Sequence, residues 1–160
     1  MSDSLQPSPS LLRVNAGEDR FGEHRGLVMS TIDFKVSAQD SGGLFVLENT
    51  FQAKGGPPRH LHVDQEEWFY LVEGEFIFEV GEEKFRLKPG DSLLAPRNVP
   101  HVWAYAGGGT RGKILVSFMP AGKMEAFFRD VMKTNAPLTK DPAIWREYGM
   151  ELLGPPLPVE

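Results

Sequence analysis

A chain of 160 residues with 41% hydrophobic residues has the length and composition of one globular domain. The net charge of −5, without any basic run, argues against nucleic acid or an anionic membrane as a partner. The lack of cysteine excludes disulfides and thiolate chemistry. No apolar run approaches the ~20 residues of a transmembrane helix, and the polar start MSDSLQPSPS differs from a signal peptide, so we expect a cytoplasmic protein.

The sequence predicts three parts in chain order. Residues 1–20 form a flexible N-terminal tail, and residues 21–120 form a β-barrel. Residues 121–160 form C-terminal helices and a proline-rich tail packed on the barrel. A helix over 123–132 is indicated by apolar residues at helical spacing. A second helix over 141–148 is indicated by an Asp-Pro start and a following glycine.

Short strands separated by turn residues fill the middle of the chain, which is typical of an all-β sandwich or barrel. A loop is predicted over 38–43 because turn-forming residues cluster there. The predicted strands are 27–32, 33–36, 44–52, 68–72, 76–80, 84–87, 92–95, 102–105 and 112–118.

The segment 55–74, GGPPRHLHVDQEEWFYLVEG, has the features of a metal site. His60 and His62 are two apart, so in a strand their side chains point to the same face. If residues 63–66 form a four-residue hairpin loop, Glu67 lies opposite His62 on the returning strand. Two imidazoles and a carboxylate then converge, a ligand set suited to a divalent transition metal ion.

A second segment, 88–105, supplies a further histidine. It reads KPGDSLLAPRNVPHVWAY, with a turn at Pro96–Pro100, after which His101 opens a strand. Together the two segments resemble the two conserved motifs of the cupin superfamily. The first motif is matched by His60, His62, Glu67 and Gly74, with its leading glycine one place late at Gly55. The second is matched by Pro96 and His101, whereas Asn98 stands in place of the usual glycine and Tyr105 in place of the usual asparagine.

The resemblance extends over roughly residues 21–158 and is greatest to the single-domain, quercetin-dioxygenase-like cupins. It implies an all-β jelly-roll barrel with one or two C-terminal helices packed outside. It also implies one metal ion bound by His60, His62, Glu67 and His101. Fe, Mn, Ni, Co, Cu and Zn all remain open, and so does a closed, purely structural zinc site with no position for substrate.

The alternation of strand residues predicts which side chains line the pocket. Phe69 shares a face with Glu67, and Trp103 and Tyr105 share a face with His101. With Phe51 they are the candidate substrate-binding residues, either as the wall of a pocket for a flat apolar molecule or as plain barrel core.

Two aromatic residues, Trp68 and Tyr70, are predicted to point outward, and they need cover. Either a C-terminal helix packs on them or a second subunit does. The resemblance implies a homodimer.

The leading functional hypothesis is a metal-dependent dioxygenase-type oxidoreductase that acts on a small aromatic or enol-type substrate. Its ligand Glu67 would then also be catalytic, as a proton acceptor. Two alternatives remain open: a non-catalytic cupin that binds or senses a small molecule, and an isomerase of sugars or keto compounds. The isomerase would need several polar groups in the pocket.

Overall fold

A computed structural model describes residues 11–133, 138 and 140–160 of the chain. Over these residues the elements in chain order are β1 (Gly26–Leu27), β2 (Ser30–Val36), α1 (Ala38–Ser41), β3 (Phe45–Phe51), β4 (Pro58–His62), β5 (Glu66–Glu73), β6 (Glu75–Val80), β7 (Glu83–Leu87), β8 (Ser92–Ala95), β9 (His101–Gly107), β10 (Gly112–Met119), α2 (Met124–Val131), α3 (Pro142–Glu147) and β11 (Met150–Pro156).

The strands form two antiparallel sheets that together make a jelly roll. One sheet has the order β1-β2-β3-β10-β5-β8, and the other has the order β11-β4-β9-β6-β7. Inward side chains of both sheets build one aromatic core. Within it the rings of Phe34 and Phe45 lie 5.0 Å apart, and those of Phe45 and Phe118 lie 5.8 Å apart. The predicted all-β jelly-roll fold is confirmed.

Buried and exposed side chains alternate along β5. Phe69 and Leu71 are buried, whereas Trp68 and Tyr70 remain 36% and 38% exposed. The sequence pattern therefore predicted the inner and outer faces of this strand correctly. None of the helices over the described residues covers the exposed pair, so the alternative in which a C-terminal helix packs on it is wrong.

The two C-terminal helices instead close one side of the space between the sheets. Met124 and Phe127 of α2 and Trp145 of α3 are buried in the core. In α3, Asp141 caps the first turn by accepting a hydrogen bond from the Ala143 backbone, as its sequence indicates. No helix among the described residues has the length and apolar character required to cross a membrane.

Three segments differ from the sequence-based assignment. The break predicted between residues 32 and 33 lies instead at residues 28–29, between β1 and β2. The predicted loop at 38–43 contains α1, whose start is stabilised by a reciprocal capping box between Ser37 and Asp40. The predicted proline-rich tail forms β11, which pairs with β4. Its prolines are tolerated because β11 is an edge strand.

The N-terminal part is only partly described, since residues 1–10 of the predicted flexible tail lie outside the described residues. Residues near 20 are attached to the barrel. Asp19 is buried and accepts a hydrogen bond from the Phe34 backbone at 2.7 Å, and Arg20 forms an ion pair with Asp40. The last residues of the predicted tail therefore contact the barrel.

Candidate metal centre

Four buried side chains converge between the two sheets. His60 and His62 lie on β4, His101 begins β9 directly opposite His60, and Glu67 lies near the start of β5 in the other sheet. All four are at most 5% exposed. One candidate ligand atom from each lies within 4.8 Å of the others. The sequence-based set of His60, His62, Glu67 and His101 is therefore one spatial cluster.

The route by which Glu67 reaches the histidines differs from the predicted one. Strands β4 and β5 do not form a hairpin, because β4 pairs with β9 and β11, whereas β5 pairs with β10 and β8. Residues 63–66 cross from one sheet to the other. Glu67 then faces His62 across the interior, so the predicted contact is correct although the predicted hairpin is wrong.

Backbone carbonyls orient two of the rings. His60 Nδ1 lies 2.7 Å from the Pro58 carbonyl oxygen, and His101 Nδ1 lies 3.2 Å from the Val99 carbonyl oxygen. A carbonyl only accepts, so each Nδ1 carries the proton, and each Nε2 of a neutral ring presents a lone pair to the interior. Outer hydrogen bonds of this kind fix the tautomer of metal-binding histidines.

The contacts of Glu67 are suited to a bound cation. His101 Nε2 and His62 Nε2 each lie 2.9 Å from Glu67 Oε2. The contact of His62 lacks hydrogen-bond alignment, and neither ring nitrogen of His62 has a hydrogen-bond partner among the described residues. Carboxylate and lone-pair nitrogen repel at this distance unless positive charge lies between them or on the ring. A divalent ion satisfies all three groups at once, so the residues fit a metal.

Burial and neighbouring charge set the protonation of the cluster. Burial raises the pKa of Glu67, but the adjacent His62 and His101 outweigh it, so the pKa of this carboxyl lies well below its ordinary value. Burial, reinforced by His101 and His62, lowers the pKa of His60 well below its ordinary value. Glu67 is thus anionic and His60 neutral near pH 7, which are the forms that bind metal.

The turn before His101 accommodates the unusual Asn98. Asn98 has a φ of 64°, a left-handed conformation that glycine adopts freely and that asparagine tolerates better than most residues. Its backbone N–H donates to the His62 carbonyl oxygen at 2.7 Å and so joins this turn to the ligand strand. The substitution of the usual glycine therefore preserves the turn.

The cluster lies in the wall of a cavity of about 610 Å³. Its lining is mostly apolar and comes from both sheets, from α2 and α3, and from the turn between β1 and β2. Trp145 packs against the His60 ring at 5.3 Å, and Phe118 packs against the His62 ring at 5.4 Å. The volume is within the range of roughly 300–1,000 Å³ that is usual for small-molecule sites.

The four predicted substrate-binding residues separate into two pairs. Phe51 and Trp103 line the cavity. Phe69 and Tyr105 are buried but are not part of the lining. Phe69 is held among the rings of Phe78, Trp103 and His101. For this second pair, the interpretation as pocket wall is corrected to barrel core.

Tyr105 is held away from the cavity by its neighbours. A Cβ on Gly112 would lie 2.4 Å from the Tyr105 ring, so the ring rests directly on that backbone. Its hydroxyl donates to the Gly109 carbonyl oxygen at 3.3 Å. The residue at the usual asparagine position therefore has a packing role here.

Several lining residues escaped the sequence analysis. Trp145 and Met150 belong to the C-terminal segment. The alternation of side chains along the ligand-bearing strands gives no information about that segment. Asn49 and Ser30 are polar residues on the inner faces of β3 and β2. Side chains alternate along β3, so Asn49 lies on the same inward face as Phe51. A polar residue at an inward position was a signal for a site.

Comparison with known proteins agrees with this geometry. A family model described as a cupin domain matches residues 48–118, which include all four clustered residues. A solved RmlC-like cupin from Shewanella frigidimarina is 25% identical, with a TM-score of 0.53, over 64% of this chain and 87% of that one. The matched part of the chain, residues 48–118, is a cupin domain.

Two further likenesses extend the comparison. A variant of Streptomyces Pac13, solved with uridine, has a TM-score of 0.59 and 10% identity over 92% of this chain and 95% of that one, which shows a shared fold. An uncharacterised protein of Methanocaldococcus jannaschii, MJ1618, is 38% identical over 42 residues. That match spans 26% of this chain and 34% of its relative.

Proposed function

We propose that this cupin is a metal-dependent dioxygenase that acts on a small aromatic or enol-type substrate. The observation that carries the proposal is the position of the cluster of His60, His62, Glu67 and His101. It lies in the wall of a largely apolar cavity rather than inside closed core. A substrate in the cavity would have direct access to the cluster.

In this reaction the ligand residues and the apolar cavity walls would have different roles. The three imidazoles and Glu67 would hold one Fe, Mn, Ni, Co, Cu or Zn ion, which would act as a Lewis acid and a template for substrate oxygen. The carboxylate of Glu67 would accept the substrate hydroxyl proton. Apolar walls such as Phe51 and Phe118 would exclude water and hold a flat ring.

A comparison of turnover with and without oxygen tests the proposal. Protein loaded with each candidate metal is mixed with quercetin, and loss of the flavonol is followed in air and under anaerobic conditions. A dioxygenase transfers both oxygen atoms into its substrate and needs no added reductant. We expect oxygen uptake equal to substrate loss, and no loss without oxygen. Equal rates in both conditions would contradict the oxygenase assignment.

Matched variants distinguish specific turnover from free-metal chemistry. Glu67→Gln should abolish turnover, whereas Glu66→Gln should retain it, because the Glu66 side chain is directed outward to Arg97 at 2.6 Å. Binding of substrates without consumption, for any metal, would favour the non-catalytic binding cupin. The isomerase alternative has less support, because the cavity lining contains few polar groups.

A homodimer is part of the proposal. Trp68, Tyr70 and Val72 on β5 and Leu94 on β8 are 36% to 55% exposed and form one apolar surface, with Trp68 directly opposite Leu94. A surface of this kind commonly marks a subunit interface. Light scattering coupled to size-exclusion chromatography should give twice the chain mass, and Tyr70→Lys should shift it toward the monomer.

A further inference from the structure

Two residues that line the cavity each have one buried polar atom without a hydrogen-bond partner among the described residues. The two atoms are Asn49 Oδ1 and Trp103 Nε1. Asn49 and Trp103 are 5% and 6% exposed, and both line the cavity. The first atom accepts hydrogen bonds and the second donates them. Native proteins rarely leave such groups unpaired, because the loss of hydration is uncompensated.

The orphan atom of Asn49 does not depend on how its amide is oriented. Asn49 Nδ2 donates to Ser30 Oγ at 3.3 Å, and the Ser30 hydroxyl donates to the Leu27 carbonyl oxygen at 3.3 Å. Ser30 has one hydroxyl proton, and it is committed to Leu27. If the amide were flipped, Oδ1 would face Ser30 Oγ without a donor, and Nδ2 would also lack a partner. In both orientations at least one polar atom of Asn49 therefore stays unpaired.

The indole of Trp103 is held rigidly in place. Its ring contacts Phe51, Phe69 and Phe78 at centroid distances between 5.7 and 6.0 Å. An aromatic cage supplies no hydrogen-bond acceptor in the ring plane. Its N–H is therefore fixed without a partner, and a bound molecule can supply one.

The position of Trp103 relates this pair to the metal centre. Trp103 lies two residues after His101 on the same inward face of β9, a separation of about 7 Å along the strand. Asn49 lies two residues before Phe51, which contacts the Trp103 ring. Asn49, Trp103 and the cluster therefore line one and the same cavity.

We propose that Asn49 and Trp103 form a recognition site for a hydroxyl group on a flat, uncharged, mostly apolar ligand. The hydroxyl oxygen accepts from the indole N–H, and the hydroxyl or a neighbouring one donates to the amide oxygen. Both protein groups are neutral, so the site selects a phenol-like oxygen rather than a carboxylate or phosphate. The proposal rests on the proposed function for the identity of the cavity as the substrate site.

The experiment uses metal-free protein and two probes, 2-naphthol and naphthalene, which differ by one hydroxyl group. Isothermal titration calorimetry or ligand-observed NMR gives both Kd values, and the readout is the naphthalene Kd divided by the naphthol Kd. In Asn49→Leu and in Trp103→Phe we expect this ratio to fall about fivefold to tenfold, the usual worth of one neutral hydrogen bond. Naphthalene affinity should stay within about twofold, since it makes no such bond.

The naphthalene measurement is the internal control for folding and cavity shape, because a distorted cavity would weaken both probes. An unchanged ratio in both variants would overturn the proposal, and so would failure of the unmodified protein to bind either probe. The assay contains neither metal nor oxygen. A protein that shows the ratio change but no oxygenase turnover would refute the proposed function and leave the hydroxyl site standing.

Discussion

Two buried carboxylates, Asp19 and Glu67, show how differently the same group can be used. Both are under 10% exposed, at 8% and 4%. In both, burial raises the pKa and neighbouring groups outweigh that effect and lower it. Asp19 is satisfied by protein donors: the backbone N–H groups of Phe34, Phe21 and Glu23 and the guanidinium of Arg25. Glu67 is faced by imidazole nitrogens that offer lone pairs.

The difference teaches that a lowered pKa does not by itself identify a functional carboxylate. The hydrogen-bond donors that surround each carboxylate distinguish Asp19 from Glu67. Asp19 is complete without any ligand and joins the N-terminal segment to β2, whereas Glu67 is complete only when a cation or a proton is added. Substitution of Glu67 should therefore lower the metal affinity, whereas substitution of Asp19 should lower the folding stability.

The largest expected effect is the loss of metal affinity in Glu67→Gln. An amide cannot replace the anionic ligand, and loss of even an outer hydrogen-bond partner typically costs about 10- to 100-fold. We expect a fall of roughly 100-fold or more, measured by competition with a chromogenic chelator. Asp19→Asn should bind metal like the unmodified protein. Equal losses in the two variants would erase the distinction between the carboxylates.

The second effect is on stability. Asp19→Asn should lower the free energy of unfolding by about 2 kcal/mol, because buried hydrogen bonds to a charged acceptor are lost and Arg25 keeps its charge. Urea denaturation of the metal-free proteins at pH 7 measures the change. A double variant that combines Asp19→Asn with Arg25→Met removes the cation as well. If the double variant is no more stable than Asp19→Asn alone, the guanidinium that has lost Asp19 and keeps its ion pair with Glu23 is not the cause.

A third effect is the dependence of that stability on pH. The pKa of Asp19 is lower in the folded state, so its contribution is complete above the unfolded pKa of about 4. It is lost as the pH falls below that value toward the folded pKa. The difference in unfolding free energy between the unmodified protein and Asp19→Asn should therefore be constant from pH 5 to pH 7 and shrink below pH 4. A difference that grows on acidification would reverse the sign we assign.

The smallest effect is expected at the exposed neighbour Glu66. Its carboxylate pairs with Arg97 at the surface, where solvent screens the interaction. Glu66→Gln should change neither the metal affinity nor the midpoint of thermal unfolding by a measurable amount. Because Glu66 and Glu67 are adjacent, this variant shows whether position in the sequence or burial determines the outcome.

Local rules account for much of the predicted cluster of His60, His62, Glu67 and His101. Parity along one strand placed His60 and His62 together, and a turn signal placed His101 at a strand start. The contact between His62 and Glu67 was predicted from a hairpin that does not exist, since crossing between sheets also brings the two residues together. The strand β11 and the inward role of Trp145 depend on tertiary pairing, which no local pattern encodes.

The pairing of β11 has a practical consequence for work on this protein. Met150 and Leu152 lie opposite His62 and His60, so the last strand shields one side of the ligand strand. Deletion of residues 150–160 would turn β4 into an open edge with unsatisfied backbone groups. Shortened expression variants are therefore best designed at the N-terminus, because removal of β11 would expose the strand that carries His60 and His62.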